Sequence, residues 1–251
     1  MVPEKELTGE VAIVTGAAHN IGRATCLALV EAGAAVCVNA ATSGADAEKL
    51  AAEITDAGGQ AMHFGADITD PDAVGRMVDA VVERFGKLSI LINNAGVRGN
   101  LPLDDLDLDE WRRVTLPTVE GTMICAKAAL PHIRRAGGGT IISLGGIASH
   151  TGVVGRTHVA SANTAIIGFM KSLAHEVGGD NIRVNTVVPG HIDTVRGAAA
   201  GPRPKTDIKF LIQDRMGRPE EVAAMICALC GLAGAYVTGQ TIHVNGGAYL
   251  P

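Results

Sequence analysis

Val11-Ala12-Ile13-Val14-Thr15-Gly16 runs directly into Ala17-Ala18-His19-Asn20-Ile21-Gly22-Arg23. An apolar β-type run breaks at a glycine and restarts as a helix. The N–H groups of a helix's first turn lack partners within the helix and carry its partial positive charge. A strand–turn–helix corner of this kind is where a dinucleotide pyrophosphate is received. Outward from the corner, strand and helix patterns alternate. Strands are expected at 11–15, 35–39, 61–64, 88–92, 139–144, 182–187 and 240–244. Helices are expected at 21–32, 44–57, 71–85, 109–135, 158–177, 207–214 and 219–230. Glycines at 33, 58, 59 and 86 stop the early helices. Such alternation predicts a doubly wound parallel sheet with helices on both faces, a three-layer α/β/α, Rossmann-like fold. No internal repeat or long linker divides residues 1–251, so one domain is expected.

Composition agrees. The chain has 251 residues, 47% of them apolar and only 3% aromatic, with 32 glycines. Small and aliphatic side chains must therefore build the core, as suits helices packed closely on a parallel sheet. Net charge is −5 without a basic cluster, which argues against nucleic acid binding. No run approaches the ~20 apolar residues of a membrane span. Met1 to Gly9 lacks the pattern of a signal peptide, and the five cysteines are irregularly spaced, so a cytoplasmic, reduced chain is expected. Cys227 and Cys230 stand one helical turn apart in the apolar run 222–232 and read as core residues, with no second pair to complete a zinc site.

Asn93-Asn94-Ala95-Gly96 follows the fourth strand pattern. With the corner at 11–23, it resembles the short-chain dehydrogenase/reductase family over nearly the whole length. The resemblance implies NAD or NADP binding by Thr15, Gly16, Asn20, Ile21, Gly22, Asp67, Asn94, Ala95, Gly96, Pro189 and Gly190. One departure stands at Asn20, where the family's glycine motif has its middle glycine. Asparagine tolerates a left-handed backbone, but its side chain would crowd the pyrophosphate or replace a water there. Both a bound dinucleotide and none therefore remain open. Val36-Cys37-Val38-Asn39-Ala40-Ala41-Thr42 offers neither the acid that would mark NAD nor the arginine that would mark NADP.

The family's chemistry, as the resemblance implies it, uses Asn, Ser, Tyr and Lys. The flanking stretches 109–114, 127–131 and 165–174 set the register. They place Thr118, Gly146, Val159 and Asn163 at those four positions, with Pro117 expected to kink the helix beside Thr118. Valine and glycine have no exchangeable side-chain proton, and reduction of a carbonyl needs an acid at the developing alkoxide. The standard mechanism is therefore expected to be absent. His158, next to Val159, is one candidate replacement, with His19, His150, His191, Ser149 and Ser161 nearby in the pattern. No histidine spacing points to a metal, and Ser149 lacks the nucleophile elbow.

In the family, the helices at 109–135 and 158–177 meet those of a neighbouring subunit. Ala160, Ala162, Thr164, Ala165 and Gly168 suit such close contact. The tail 239–247 resembles another family contact surface. Assembly surfaces without the catalytic groups favour a non-catalytic subunit of a heterotetrameric NAD(P)-dependent hydroxyacyl or alcohol dehydrogenase, partnered by an active homologue, or else a homo-oligomer. The alternatives are a stand-alone oxidoreductase or lyase rebuilt around His158, and a nucleotide-binding sensor or scaffold. Arg196, Arg203, Lys205 and Lys209 fall where the family has its substrate lid, and could meet a phosphate-bearing substrate such as a coenzyme A ester, or form a solvated loop.

Overall fold

The computed structural model describes residues 5–195 and 211–251. Seven strands form one parallel sheet: β1 Val11–Val14, β2 Ala35–Ala40, β3 Ala61–Gly65, β4 Ile90–Asn93, β5 Gly139–Leu144, β6 Ile182–Pro189 and β7 Thr241–Val244. Their order is β3-β2-β1-β4-β5-β6-β7. The winding reverses between β1 and β4, which opens a crevice beyond their C-terminal ends. Open parallel sheets bind ligands in such a crevice.

Strands β1, β2 and β4 are buried at every position, as a sheet covered on both faces requires. One core lies between the sheet and α1 Asn20–Glu31, α2 Gly44–Asp56 and α7 Pro219–Cys230, where Leu29, Leu50, Ile54 and Ile226 meet Val36 and Val38. The other lies under α3 Pro71–Phe85, α4 Leu108–Arg135 and α6 Thr157–Val177, where Met77, Val81, Ile133, Ile166 and Met170 meet Ile13 and Ile141. Local chemistry sets helix ends. Asp70 accepts hydrogen bonds from the N–H groups of Asp72 and Ala73, Pro71 supplies a pre-set φ, and Gly86 closes α3 at φ +84°.

Several expectations change. Helix α4 runs continuously through Pro117 and Pro131, and Pro117, where a kink is expected, has no N–H to donate within it. Strand β6 extends to Pro189, which sits at the strand end opposite Val244. Residues 211–214, placed in a helix by their pattern, form a turn, while 207–210 lie outside the described residues. A one-turn helix, α5 Ala148–Thr151, was not anticipated. Helices α4 and α6 pack on each other within the chain. That packing accounts for Ala162, which is buried, whereas Thr164, Ala165 and Gly168 face outward. All five cysteines are free thiols. Burial pushes the thiols of Cys37 and Cys125 up to about 12 and raises those of Cys26, Cys227 and Cys230, which makes them core groups rather than nucleophiles. No helix among the described residues is long and apolar enough to cross a membrane.

Candidate active site

The crevice is built by tying the exits of β1 and β4 together. The Asn94 side-chain amide donates to the carbonyls of Thr15 and Gly16, each at 2.9 Å. The Thr15 hydroxyl accepts from the N–H groups of Asn94 and Ala95, at 3.1 and 3.0 Å. Gly16 adopts φ +60°, and a Cβ there would lie 2.8 Å from the Ala95 Cα. A Cβ on Gly22 would lie 2.5 Å from the Gly16 oxygen and 2.6 Å from the Asn94 amide nitrogen. Both positions therefore need glycine for close backbone approach. Thr15, Gly16, Gly22, Asn94 and Ala95 come together as the sequence anticipates. Gly96 sits against the Thr118 hydroxyl, which would lie 3.6 Å from an added Cβ.

The N-terminus of α1 points its first-turn N–H groups into this crevice. His19 precedes the helix in an extended conformation and gives it no side-chain cap. A helix end without a side-chain acceptor, framed by glycines, fits a pyrophosphate. Asn20 takes φ +50°, the left-handed conformation that its family counterpart meets with glycine. Its side chain reaches across to the loop after β6. The Asn20 Nδ2 donates to the Val195 carbonyl at 2.9 Å, and the Val195 N–H donates to Asn20 Oδ1 at 2.8 Å. Ile21, half-buried, joins the apolar cluster beneath α1.

Asp67 accepts from the N–H and the hydroxyl of Thr69 and lies exposed at the start of the turn into α3. At the end of β2, Asn39 is buried and donates to the carbonyls of Phe64 and Ala66. Its amide braces β3 rather than the crevice. Gly190 allows the loop after β6 to pass Asn245, whose Cα would lie 2.6 Å from a Cβ there. Pro189 ends β6 beside it. A further cross-loop tie left no sign in the sequence: Arg98 Nη1 donates to the Thr194 hydroxyl at 3.3 Å.

Of the four positions assigned to the family's chemistry, Thr118 uses its hydroxyl on the Val114 carbonyl one turn earlier in α4. Gly146 and Asn163 face each other, because a Cβ on Gly146 would lie 2.9 Å from the Asn163 amide nitrogen. Val159 is half-buried in the first turn of α6. Ser149 bonds back to the Gly146 carbonyl, and Ser161 is exposed on α6.

The candidates His19, His150 and His158 each meet different partners. His158 is fully buried and turned into the body of the protein, 3.8 Å from Glu110 Oε1 and packed on Gly99, whose added Cβ would collide with the ring. The expectation that it lines the cleft is corrected: its place on the buried stripe of α6 carries it away from Val159. His19 pairs with Asp46 at 3.2 Å. His150 meets His243 and Tyr249, with ring centroids 4.6 and 5.0 Å away. His191, half-buried, opens the loop after Gly190. Arg156, three residues before Val159, acts electrostatically on both His191 and His158. Among the described residues, no three His, Cys, Asp or Glu side chains form a metal site. Arg196, Arg203, Lys205 and Lys209 lie outside the described residues.

Burial holds His158 below its ordinary pKa of 6.5, with Glu110 opposing and Arg113 and Arg156 reinforcing the shift. The folded protein thus resists a proton that the unfolded chain accepts. Stability present at neutral pH is lost as pH falls through and below 6.5. His158→Leu should make the acid limb of a Tm–pH profile shallower; an unchanged limb would remove His158 from this role.

The family model described as enoyl-(acyl carrier protein) reductase matches residues 16–249. The chain belongs to the short-chain dehydrogenase/reductase family. It is 38% identical over 240 residues to a cis-4-hydroxycyclohexanecarboxylate dehydrogenase of Sinomonas cyclohexanicum, covering 94% of this chain and 95% of that protein. It is 36% identical over 245 residues to a 3-oxoacyl-[acyl-carrier-protein] reductase of Synechocystis sp., covering 97% and 98%. Among solved structures, a short-chain dehydrogenase of Burkholderia cenocepacia in complex with NADP superposes with a TM-score of 0.90 at 33% identity, covering 97% of this chain and 99% of that one. A 7α-hydroxysteroid dehydrogenase complexed with NADH and 7-oxo glycochenodeoxycholic acid also gives 0.90, at 31% identity, covering 97% and 96%.

These findings correct the sequence-based preference for a non-catalytic subunit paired with an active homologue. The relatives, aligned over nearly their full lengths, are named reductases and dehydrogenases in their own right. Nothing among them marks a pseudoenzyme or a heterotetramer. NAD(P) binding is supported by the two dinucleotide complexes.

Proposed function

We propose that the chain is a stand-alone NAD(P)-dependent oxidoreductase, interconverting a ketone and a secondary alcohol, with a rebuilt proton-transfer group. The observation that carries this reading is the crevice at β1 and β4. Its glycines and the Asn94 brace frame the α1 N-terminus for a pyrophosphate. Bound there, a reduced nicotinamide supplies the hydride to the carbonyl carbon. Gly16 and the N–H groups of Asn20, Ile21 and Gly22 at the start of α1 would hold the phosphates. Asn94 to Gly96 would border the nicotinamide ribose and Asp67 the adenine end.

The proton needs another source than Gly146, Val159 and Asn163, which have no acidic hydrogen near neutrality. His191 is the group we assign. It opens the loop after β6, at the same C-terminal edge of the sheet as the crevice, and its imidazolium donates a proton to the oxygen as the alkoxide forms. In the oxidising direction the neutral ring takes the proton back. His158 is excluded from this role by its burial against Gly99 and Glu110. Arg98, tied to Thr194 on the loop after β6, adds positive charge at that loop, which suits a substrate bearing an anionic group. One relative's name carries such a group, a hydroxycyclohexanecarboxylate.

Burial, with Arg156 adding to it, holds the His191 pKa below 6.5. Reduction needs the protonated ring, so kcat for reduction should rise as pH falls towards and below 6.5. Oxidation needs the neutral ring and should level off above that range. The test is turnover by the purified chain alone, with carboxylate-bearing cyclic ketones and 3-oxoacyl thioesters set against neutral analogues. Dinucleotide consumption matched by product, and faster with the anionic compounds, is expected. No turnover with any of them, together with no dinucleotide binding, would contradict the reading.

A further inference from the structure

Asn20 and Val195 are 175 residues apart in sequence, yet the carboxamide of one meets both backbone groups of the other. A side-chain amide that donates and accepts in the same pair of bonds is a two-point clasp. It joins the turn after β1 to the loop after β6, on opposite sides of the crevice. Asn20 sits at the mouth of the α1 N-terminus, where a pyrophosphate must take its N–H donors. It is held at φ +50°, a conformation costly for most side chains and free for glycine. A residue kept in that conformation, with its side chain spent across the binding cleft, is placed to affect entry.

We infer that the Asn20–Val195 clasp is a gate on the dinucleotide site, its two hydrogen bonds competing with a pyrophosphate for the mouth of α1. The inference rests on the dinucleotide-binding reading above and adds to it a competition between ligand and side chain. Arg98, bonded to the adjacent Thr194, steadies the same loop from the β4 side. It lets the loop keep its place when the clasp opens. Binding energy is then partly spent on breaking two hydrogen bonds, so the apparent affinity is lowered by the fraction of molecules already open.

Asn20→Gly removes the clasp and keeps the left-handed backbone without strain. It should bind NADPH or NADH about tenfold more tightly, ~1.4 kcal/mol, with most of the gain in the association rate. Amide hydrogen exchange at Val195 in the free variant should accelerate, because the Val195 N–H loses its acceptor. Asn20→Asp keeps that acceptor, loses the donor and brings a negative charge towards the phosphates, so it should bind more weakly than the parent. Calorimetry and stopped-flow binding on the full chain, with exchange read at Val195, give the answer. Tighter and faster binding by Asn20→Gly supports the gate, and so does binding by that variant alone. Equal or weaker binding by Asn20→Gly, beside a parent that binds, overturns the gate and leaves the oxidoreductase reading intact. Unaltered exchange at Val195 overturns the clasp itself. Failure of both proteins to bind any dinucleotide overturns the underlying reading and the gate with it.

Discussion

His191→Gln should lower kcat by about 10²–10⁴-fold while KM and dinucleotide affinity change little. Removing a general acid affects the transition state, where the proton moves, and leaves ground-state binding largely alone. Glutamine retains hydrogen-bonding capacity and similar bulk, so the loop that begins at Gly190 should keep its course. The pH dependence should vanish in the variant together with the rate, because the group that titrates is gone. His158→Leu is the contrasting case. It should alter acid stability and leave turnover near the parent level, since His158 is enclosed by Gly99 and Glu110. If His158→Leu abolished turnover and His191→Gln did not, the proton assignment would have to be exchanged.

Gly22→Ala should do most damage to the crevice. Its Cβ would lie 2.5 Å from the Gly16 oxygen and 2.6 Å from the Asn94 amide. The first neighbour is backbone and cannot swing aside. The second is the brace that holds β1 to β4. Relief requires the α1 N-terminus to withdraw or Asn94 to release Thr15 and Gly16. Overpacking of this kind costs about 1–3 kcal/mol, and each kcal/mol lowers Tm by ~2–4 °C in a chain of this size. Dinucleotide affinity should fall by at least about tenfold, since the N–H donors are displaced from the site they define. Gly75→Ala is the control. It also adds a methyl to a helical glycine, but nothing lies within 4 Å of it, so stability and binding should hold. Equal tolerance at both positions would mean that the crevice does not depend on the approach of α1 to Asn94.

The fold was legible because its signals are local and repeat. Each strand is an apolar run that breaks at a glycine or a polar turn, and each helix keeps one buried stripe. Element boundaries slipped where tertiary pairing decides them. Strand β6 continues to Pro189 because β7 pairs with it, and α5 is a single turn with too few residues for a periodic pattern. In the site, glycines and Asn94 were readable because each answers a backbone requirement at its own position.

The side-chain directions were harder. His158 and Val159 are sequence neighbours, but adjacent helical positions lie about 100° apart and do not share a face. The signal was present in the stripe His158, Ala162, Ile166, Met170, Leu173 and Val177, which is the buried side of α6. The Asn20–Val195 clasp and the Arg98–Thr194 tie left no such trace. Each joins loops distant in sequence, and only the closed sheet brings them together. The loss of the hydroxyl and ammonium groups expected at Gly146, Val159 and Asn163 suggested an idle subunit. The full-length kinship with named reductases and dehydrogenases turns that loss into a question of where the proton comes from.

Isotope transfer shows whether the chain by itself moves a hydride from the dinucleotide to a ketone. The purified chain, with no other protein present, is given a carboxylate-bearing cyclic ketone and nicotinamide dinucleotide deuterated at the reduced C4. The account predicts that the alcohol product carries deuterium on its carbinol carbon, in step with cofactor oxidation. Cofactor that neither binds nor gives up its label to any ketone tested would contradict it.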